Sequence, residues 1–250
     1  MLSQRADAVG QLILAHYEGR PSVEIIERDD RWFGISTGAP AYFAPFEQWP
    51  SIERRAIRLV RGRVLDVGCG AGRVALRLQA GGYEVVSIDV SPLAIKTCRL
   101  RGVRDARVCS ITSVSSRLGE FDTVIMFGNN FGLFGNAGRA RWLLRRLHRL
   151  TSPAARILAE SRDPYQTASL DHRRYHQLNR RRGRLPGQLR IRVRFGRART
   201  PWFDYLIVSP REMRDIVAGT GWCVARVIRT TGPDYVAVLE KAAAGAGEPR

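Results

Sequence analysis

Cysteine is scarce in this sequence of 250 residues, and its four copies stand apart. No two of them share a CxxC spacing, which argues against both a zinc site and a disulfide framework and fits a reducing compartment. No apolar run approaches the ~18–20 residues of a membrane-spanning helix, and the N-terminal segment lacks a clean signal-peptide pattern. We therefore expect a cytoplasmic protein with no metal centre and no membrane partner.

Lysine is nearly absent as well. Lys96 and Lys241 are the only lysines among 41 basic residues, and the net charge is +18. Such a skew toward arginine is typical of codon bias in a GC-rich genome, which requires no selected partner. A polyanion-binding surface and an acidic small substrate are the alternatives. Half of the excess charge lies in residues 166–208, so a polyanion would bind there.

The middle of the chain alternates between short apolar strands and helices. Strands are predicted at residues 64–67, 83–88, 106–109, 121–127 and 156–161, and helices at 73–80, 138–150 and from Ser91-Pro92 to Gly102. Buried strands separated by helices pair in parallel with both faces covered, and right-handed crossovers then favour a doubly wound sheet. Length and composition favour one α/β domain.

Flanking segments complete this core, residues 61–165. Residues 1–60 are predicted as an N-terminal cap, with a helix over 6–17, an aromatic loop, and a second helix for which Ser51 is the N-cap. Residues 166–208 form a basic insertion with strands at 189–195 and 202–208. Residues 209–240 add a helix, opened by Ser209-Pro210, and strands at 222–228 and 235–239. Residues 241–250 are predicted to be a disordered tail.

The decisive segment is a strand, a glycine-rich turn and a helix start, VLDVGCGAGR at residues 64–73. Glycines allow a ligand to approach the backbone, and the helix start offers free N–H donors. Asp89 ends the next strand, about 20 residues on, where an acid binds ribose hydroxyls. The spacing is G-x-G-x-G rather than the nicotinamide pattern G-x-G-x-x-G. Asp66 beside the turn would repel a pyrophosphate and suits a cationic ligand.

Four segments resemble the class I S-adenosylmethionine-dependent methyltransferases. They are VLDVGCGAGR, VVSIDVSPLAI, FDTVIMFGNNFGLFG and SPREMRDIVAGTGW. The resemblance implies a Rossmann-like, mostly parallel seven-stranded sheet with helices on both faces. It also implies S-adenosylmethionine as cofactor, with S-adenosylhomocysteine as product.

The same resemblance assigns cofactor contacts. Asp66 would face the methionine amino group, and Asp89 would accept hydrogen bonds from both ribose hydroxyls. Ser110 stands where many relatives carry an acid that holds the adenine amino group. Gly128, Asn129 and Asn130 would lie near the sulfonium and the incoming nucleophile. The remaining predicted contacts are Gly68, Cys69, Gly70, Gly72, Val90 and Ile111.

Methyl transfer requires a general base only when the acceptor is protonated. Candidates at the end of the fifth strand are Glu160, Asp163 and Tyr165, because open α/β sheets bind ligands at the carboxyl ends of strands. Asn130 is added as a residue near the nucleophile. His172, His176 and Tyr175 in the insertion are further candidates.

The functional hypotheses differ in the molecule that accepts the methyl group. A small-molecule acceptor is favoured, enclosed by the N-terminal aromatic loop and by the insertion. The alternative is an RNA methyltransferase whose insertion arginines bind phosphates. Against it, no N/D-P-P-aromatic signature and no Pro-Cys pair is present. A third reading is a cofactor-binding module without activity. The chain is expected to be a monomer or a homodimer.

Overall fold

A computed structural model describes residues 3–36 and 38–242. Its main sheet has seven strands in the order β11-β12-β7-β6-β3-β4-β5. These are β3 (Val64–Val67), β4 (Val85–Asp89), β5 (Asp105–Val108), β6 (Phe121–Met126), β7 (Thr151–Arg162), β11 (Trp222–Arg229) and β12 (Asp234–Lys241). Strands β3 to β7 are parallel, and β12 is antiparallel to both β7 and β11. This arrangement confirms the predicted fold class.

Eight α-helices surround the strands in the described residues. They are α1 (Ala8–Tyr17), α2 (Pro40–Phe43), α3 (Ser51–Ala56), α4 (Arg73–Ala80), α5 (Pro92–Leu100), α6 (Ala137–Arg149), α7 (Leu170–Arg181) and α8 (Pro210–Val217). Ser209 caps α8 in a capping box with Glu212, and Ser91 caps α5. The prediction of Ser51 as an N-cap is wrong, because Ser51 is the first residue of α3 and Pro50 occupies the cap position.

Two hydrophobic clusters lie on opposite faces of the main sheet. On one face, α6 and α8 bury side chains such as Leu143, Leu147 and Met213. On the other, α3, α4 and α5 bury side chains such as Leu78 and Ile95. Each fully buried leucine or isoleucine stabilises the fold by about 1.5–3 kcal/mol. The two clusters hold the carboxyl edge of the parallel strands in place.

A second, antiparallel sheet lies outside this core. It contains β1 (Ile25–Arg28), β2 (Phe33–Ile35), β8 (Gln188–Phe195), β9 (Ala198–Arg199) and β10 (Phe203–Leu206), in the order β10-β8-β1-β2 with β9 paired to β8. The N-terminal cap and the basic insertion therefore share one sheet, which we call the small sheet. A bidentate ion pair between Glu27 and Arg192, 165 residues apart, crosses the junction of β1 and β8.

The structure corrects several predicted elements. The stretch read as an N-terminal loop contains β1, β2 and α2, and the polar start of the insertion contains α7. The fifth strand begins at Thr151 rather than at residue 156. Other boundaries differ by one or two residues. The predicted tail begins inside β12, which ends at Lys241, and residues 243–250 lie outside the described part of the chain.

The helix α1 is attached to the core through an aspartate. Asp7 accepts hydrogen bonds from the Gly10 N–H within α1 and from the Leu93 N–H at the start of α5. The N-terminal segment is thereby fixed close to the end of β4. No helix in the described ranges is long and apolar enough to span a membrane.

Candidate active site

The turn between β3 and α4 adopts a conformation that glycine favours. Gly68, Gly70 and Gly72 have φ angles of 71°, 54° and 78°. A Cβ built on Gly70 would lie 2.8 Å from Cδ1 of Tyr42 in α2, so that ring already covers the turn. The Asn130 Nδ2 donates to the carbonyls of Val67, at 2.9 Å, and of Gly68, at 3.0 Å. The turn is thus fixed by a side chain from the loop after β6.

Asp89 at the end of β4 has spare acceptor capacity. One carboxylate oxygen accepts the Gly70 N–H at 3.1 Å, and the other accepts the Ser91 N–H at 2.9 Å. A carboxylate has about four lone-pair sites, so each oxygen can accept one further hydrogen bond. Burial raises the pKa of Asp89 to about 6. At neutral pH the group is therefore mostly an ionised acceptor, suited to a pair of hydroxyls.

Asp66 in β3 carries an acceptor without a partner. The residue is 3% exposed, and its Oδ2 atom is buried with no hydrogen bond to any described residue. Burial raises the pKa of Asp66 to about 7, against the opposing effect of the Arg73 charge. An unpaired buried acceptor is costly unless a ligand supplies a donor. A ligand with an ammonium group would satisfy it.

The loop after β6 presents a second such acceptor. Asn129 has a φ of 62°, and its Oδ1 atom is buried without a partner among the described residues. Its carbonyl accepts the Tyr205 hydroxyl of β10 at 2.6 Å. The preceding Gly128 N–H donates to Glu160 Oε2 at 2.7 Å. The loop is therefore held from the main sheet and from the small sheet.

Comparisons with known proteins agree with this geometry. A family model described as "Methyltransferase domain" matches residues 64–154. A solved SAM-dependent methyltransferase from Bacteroides fragilis, in complex with S-adenosyl-L-homocysteine, is 28% identical, with a TM-score of 0.82 over 97% of this chain and 98% of that one. Residues 64–154 are thus a methyltransferase domain, and the chain has the Rossmann-like fold of the S-adenosylmethionine-dependent methyltransferases.

Curated relatives match this methyltransferase over shorter stretches. A putative methyltransferase of Geobacillus sp. (strain WCH70) is 25% identical over 139 residues, which is 52% of this chain and 54% of the relative. A ubiquinone biosynthesis O-methyltransferase of Xanthomonas oryzae pv. oryzae is 38% identical over 72 residues, 26% of this chain and 30% of the relative. The chain thus spans about half the length, or less, of these two relatives.

The residues at the sheet edge fit S-adenosylmethionine. Asp66 offers an orphan acceptor where the methionine amino group is expected, and Asp89 retains acceptor capacity for two ribose hydroxyls. Val90 is 49% exposed, and Ile111 is buried. Ser110 caps a short 3-10 helix by accepting the Thr112 N–H, at 3.3 Å. These assignments stay predictions, and the orphan oxygen of Asp66 is the observation that most favours them.

Cys69 contributes differently from the glycines. Its side chain is buried in the core, with Sγ 3.8 Å from Sγ of Cys98, and the Cys98 thiol donates to the Gly70 carbonyl at 3.1 Å. Only the backbone of Cys69 is then available to a ligand. The described residues contain no cluster of three or more His, Cys, Asp or Glu arranged to hold a metal ion.

The four predicted catalytic residues do not form one group. Asn130 fixes the glycine turn. Glu160 is 4% exposed and contacts Glu53, which forms a bidentate pair with Arg73 at 2.6 and 2.7 Å. Burial and the neighbouring Glu53 raise the pKa of Glu160 well above its usual range. Because its visible partner is the Gly128 N–H, Glu160 is placed to position the loop.

Asp163 and Tyr165 contact other parts of the chain. Asp163 accepts the Tyr165 N–H at 3.0 Å, which is a local turn. The Tyr165 hydroxyl donates to Glu212 of α8 at 2.7 Å, and burial together with this carboxylate raises the pKa of Tyr165 to about 12. Neither residue has a hydrogen bond to the glycine turn or to the loop after β6. A role as general base stays a prediction for both.

The insertion residues that were candidate bases interact with partners in the small sheet and in the segments next to it. The Tyr175 hydroxyl donates to Asp29 at 2.6 Å, and the Arg28 guanidinium lies 4.2 Å from its ring. Burial lowers the pKa of His176 to about 4. His172 packs against Trp32 with ring centroids 5.3 Å apart.

The sequence analysis did not predict two residues at the site, which are Glu24 and Tyr205. Glu24 directly precedes β1 and is 6% exposed. The ring of Tyr205 lies where a Cβ on Gly132 would be, with Cζ 2.3 Å from that position. No local pattern marks either residue, because each reaches the site through the pairing of strands that are distant in sequence.

Proposed function

We propose that this methyltransferase transfers a methyl group from S-adenosylmethionine to a small-molecule acceptor held under the small sheet. The observation that carries the proposal is the pair of tyrosines above the sheet edge. Tyr42 packs on Gly70 of the glycine turn, and Tyr205 packs on Gly132 and donates to the Asn129 carbonyl. Both segments outside the main sheet therefore contribute a wall to the acceptor side.

The chain's own residues would bind and orient the reactants. S-adenosylmethionine supplies an electrophilic methyl group on a sulfonium. Asp66 and Asp89 would hold its two ends, and the glycine turn would allow close backbone approach. Tyr42 and Tyr205 would exclude water and face a positive charge, a contact worth about 0.5–2 kcal/mol for each ring. Positioning of this kind supplies most of the catalysis for an already activated methyl group.

The alternative acceptor is RNA, bound by exposed arginines of α7. These side chains point to solvent, namely Arg173, Arg174, Arg180 and Arg181. Their helix lies beside the small sheet, where the Tyr175 hydroxyl donates to Asp29 and accepts the Arg190 N–H, and none of these arginines forms a hydrogen bond with the glycine turn or the loop after β6 in the described residues. The covered site favours a small molecule. The monomeric or homodimeric state and the cytoplasmic location stay predictions.

Titration calorimetry tests the cofactor half of this proposal. We expect S-adenosylmethionine and S-adenosylhomocysteine to bind with a 1:1 stoichiometry and NAD not to bind. Tight binding of NAD without binding of either sulfur nucleoside would contradict the proposal. The acceptor half is tested by a structure with S-adenosylhomocysteine. Tyr42 and Tyr205 both lying beyond ~10 Å from its sulfur, out of reach of direct or water-bridged contact, would contradict it.

A further inference from the structure

The carboxyl of Glu24 is buried without a positive partner. The residue is 6% exposed, and its hydrogen-bond partners are two hydroxyls: Ser36 donates to one oxygen, and Tyr42 donates to the other at 3.5 Å. Across residues 3–36 and 38–242, no basic side chain forms an ion pair with it. The chain has 41 basic residues, so this isolation is a property of the location.

Glu27, three residues further along, shows the ordinary arrangement. It forms a bidentate pair with Arg192, at 2.6 and 2.8 Å, and contacts Arg194 at 3.5 Å. The hydrogen bonds from Arg192 lower the pKa of Glu27, whereas burial raises the pKa of Glu24. Glu24 directly precedes β1, and its carboxyl accepts hydrogen bonds from hydroxyls instead of arginines.

Glu24 lies on the acceptor side of the site. Tyr42 joins it to the glycine turn, since the same side chain contacts the Glu24 carboxyl through its hydroxyl and Gly70 through its ring. Tyr205 is the second ring near this position. Burial raises the pKa of Tyr205, and the charges of Glu160 and then Glu24 raise it further. The Glu24 carboxyl therefore contacts Tyr42 and is within electrostatic reach of Tyr205.

The unsatisfied groups at this position all accept hydrogen bonds or attract cations. Glu24 is a buried carboxyl without a counter-ion, and Asn129 presents a buried Oδ1 without a donor. Tyr42 and Tyr205 add two electron-rich rings. Removing a carboxylate from water is expensive unless a cation accompanies it. A protonated nitrogen suits a carboxylate, an amide oxygen and electron-rich rings alike, while a carboxylate or a phosphate suits none of them.

We propose that the methyl acceptor is a primary or secondary amine, and that Glu24 binds its ammonium form and takes up its proton. The proposal rests on the function proposed above. The N–H bond breaks and the proton passes to the Glu24 carboxylate, which becomes a neutral carboxyl. The freed nitrogen lone pair forms the N–C bond as the C–S bond breaks. The electron pair of the broken C–S bond remains on sulfur, which becomes a neutral thioether. The other product is the methylated ammonium ion.

Matched ligands separate this proposal from its alternatives. Wild-type protein saturated with S-adenosylhomocysteine is titrated with benzylamine, phenethylamine and cyclohexylamine, and with the corresponding alcohols and carboxylates. Methyl transfer to the same compounds is followed by mass spectrometry with S-adenosylmethionine. We expect at least one amine to bind and to be methylated at nitrogen, with at least tenfold weaker binding of its alcohol and no binding of its carboxylate.

Variants then assign the effect to Glu24. Glu24→Gln keeps the acceptor for Ser36 and is expected to bind S-adenosylhomocysteine normally, while the amine binds at least tenfold more weakly. Glu24→Asp keeps the charge and is expected to restore part of the binding. Glu27→Gln, in β1 three residues further along and paired with Arg192, is the control and is expected to retain the preference for amines.

Three results would overturn the proposal while leaving cofactor binding intact. They are equal or better binding of alcohols or carboxylates, no binding or methylation of any amine in the panel, and unchanged amine binding by a folded Glu24→Gln variant. Failure of wild-type protein to bind S-adenosylhomocysteine would instead contradict the proposed function itself.

Discussion

Replacing Asp89 with alanine tests the cofactor site most directly. The carboxylate accepts the Gly70 N–H at 3.1 Å and the Ser91 N–H at 2.9 Å, and we assign its remaining lone pairs to the ribose hydroxyls. A hydrogen bond to a charged group contributes about 1.5–3 kcal/mol. The expected loss in affinity for S-adenosylhomocysteine is therefore about 10- to 150-fold, since 1.4 kcal/mol corresponds to tenfold.

The stability of this variant should change little. Burial raises the pKa of Asp89 to about 6 in the folded protein, whereas the pKa in the unfolded chain is near 4. The protonated carboxyl therefore favours the native state at low pH, and this contribution to stability is lost as the pH rises through about 6. At higher pH the ionised group contributes nothing to stability that its removal could take away. At pH 8 we expect Asp89→Ala to unfold at nearly the wild-type temperature. Cofactor binding, rather than folding, should carry the effect.

Asp105→Ala is the matched control. Asp105 begins β5, the neighbouring strand, and forms an exposed ion pair with Arg107 at 2.7 Å. Exposed pairs contribute about 0–1 kcal/mol, and this one does not contact the glycine turn. Calorimetry should show wild-type affinity for S-adenosylhomocysteine. A folded Asp89→Ala protein with wild-type affinity would refute the assignment of the ribose site.

Three further predictions concern the same edge of the sheet and its surroundings. Affinity for S-adenosylhomocysteine should rise at least tenfold from pH 6 to pH 8, because Asp66, with a pKa of about 7, goes from about one-tenth to about nine-tenths ionised. In calorimetry, Asp66→Asn should leave only the smaller dependence, about twofold, that comes from Asp89 with its pKa of about 6. Gly70→Ala, at a φ of 54° and against Tyr42, should weaken binding at least tenfold, whereas Gly82→Ala, at a positive φ in open space, should only lower the melting temperature. Wild-type protein should show no submicromolar RNA binding near physiological salt; such binding, lost when Arg180, Arg181 and Arg182 become alanine, would favour the RNA alternative.

Local sequence predicted the cofactor half of the molecule well. The glycine turn, Asp66 and Asp89 lie within two strands and one helix, and each element carries its own signal in apolar runs, caps and turn residues. The helices α4, α5 and α8 begin at or next to the predicted residue. Errors there were confined to strand ends, such as β7, whose first five residues contain Pro153 and mostly small or polar side chains.

The segments outside the main sheet could not be predicted from local sequence in the same way. β1 is a four-residue segment, IIER, that is stabilised by pairing with β8, and α7 has few apolar residues because one of its faces points to solvent. Neither has a strong periodic signal. Glu160, Asp163 and Tyr165 were predicted as catalytic because they lie at or just after the end of β7. Glu160 instead accepts the Gly128 N–H, and the Tyr165 hydroxyl donates to Glu212 of α8.

The sequence alone determined that this chain forms a doubly wound sheet, and it predicted a nucleoside site at the carboxyl edge of that sheet, because strand, turn and helix propensities act over a few residues. Only the tertiary structure decided what faces that site. Glu24 directly precedes β1 and Tyr205 lies in β10, and these two strands pair on either side of β8. Their placement depends on strand pairing across more than 150 residues of chain, where burial and backbone hydrogen bonding, rather than local preference, set the partners.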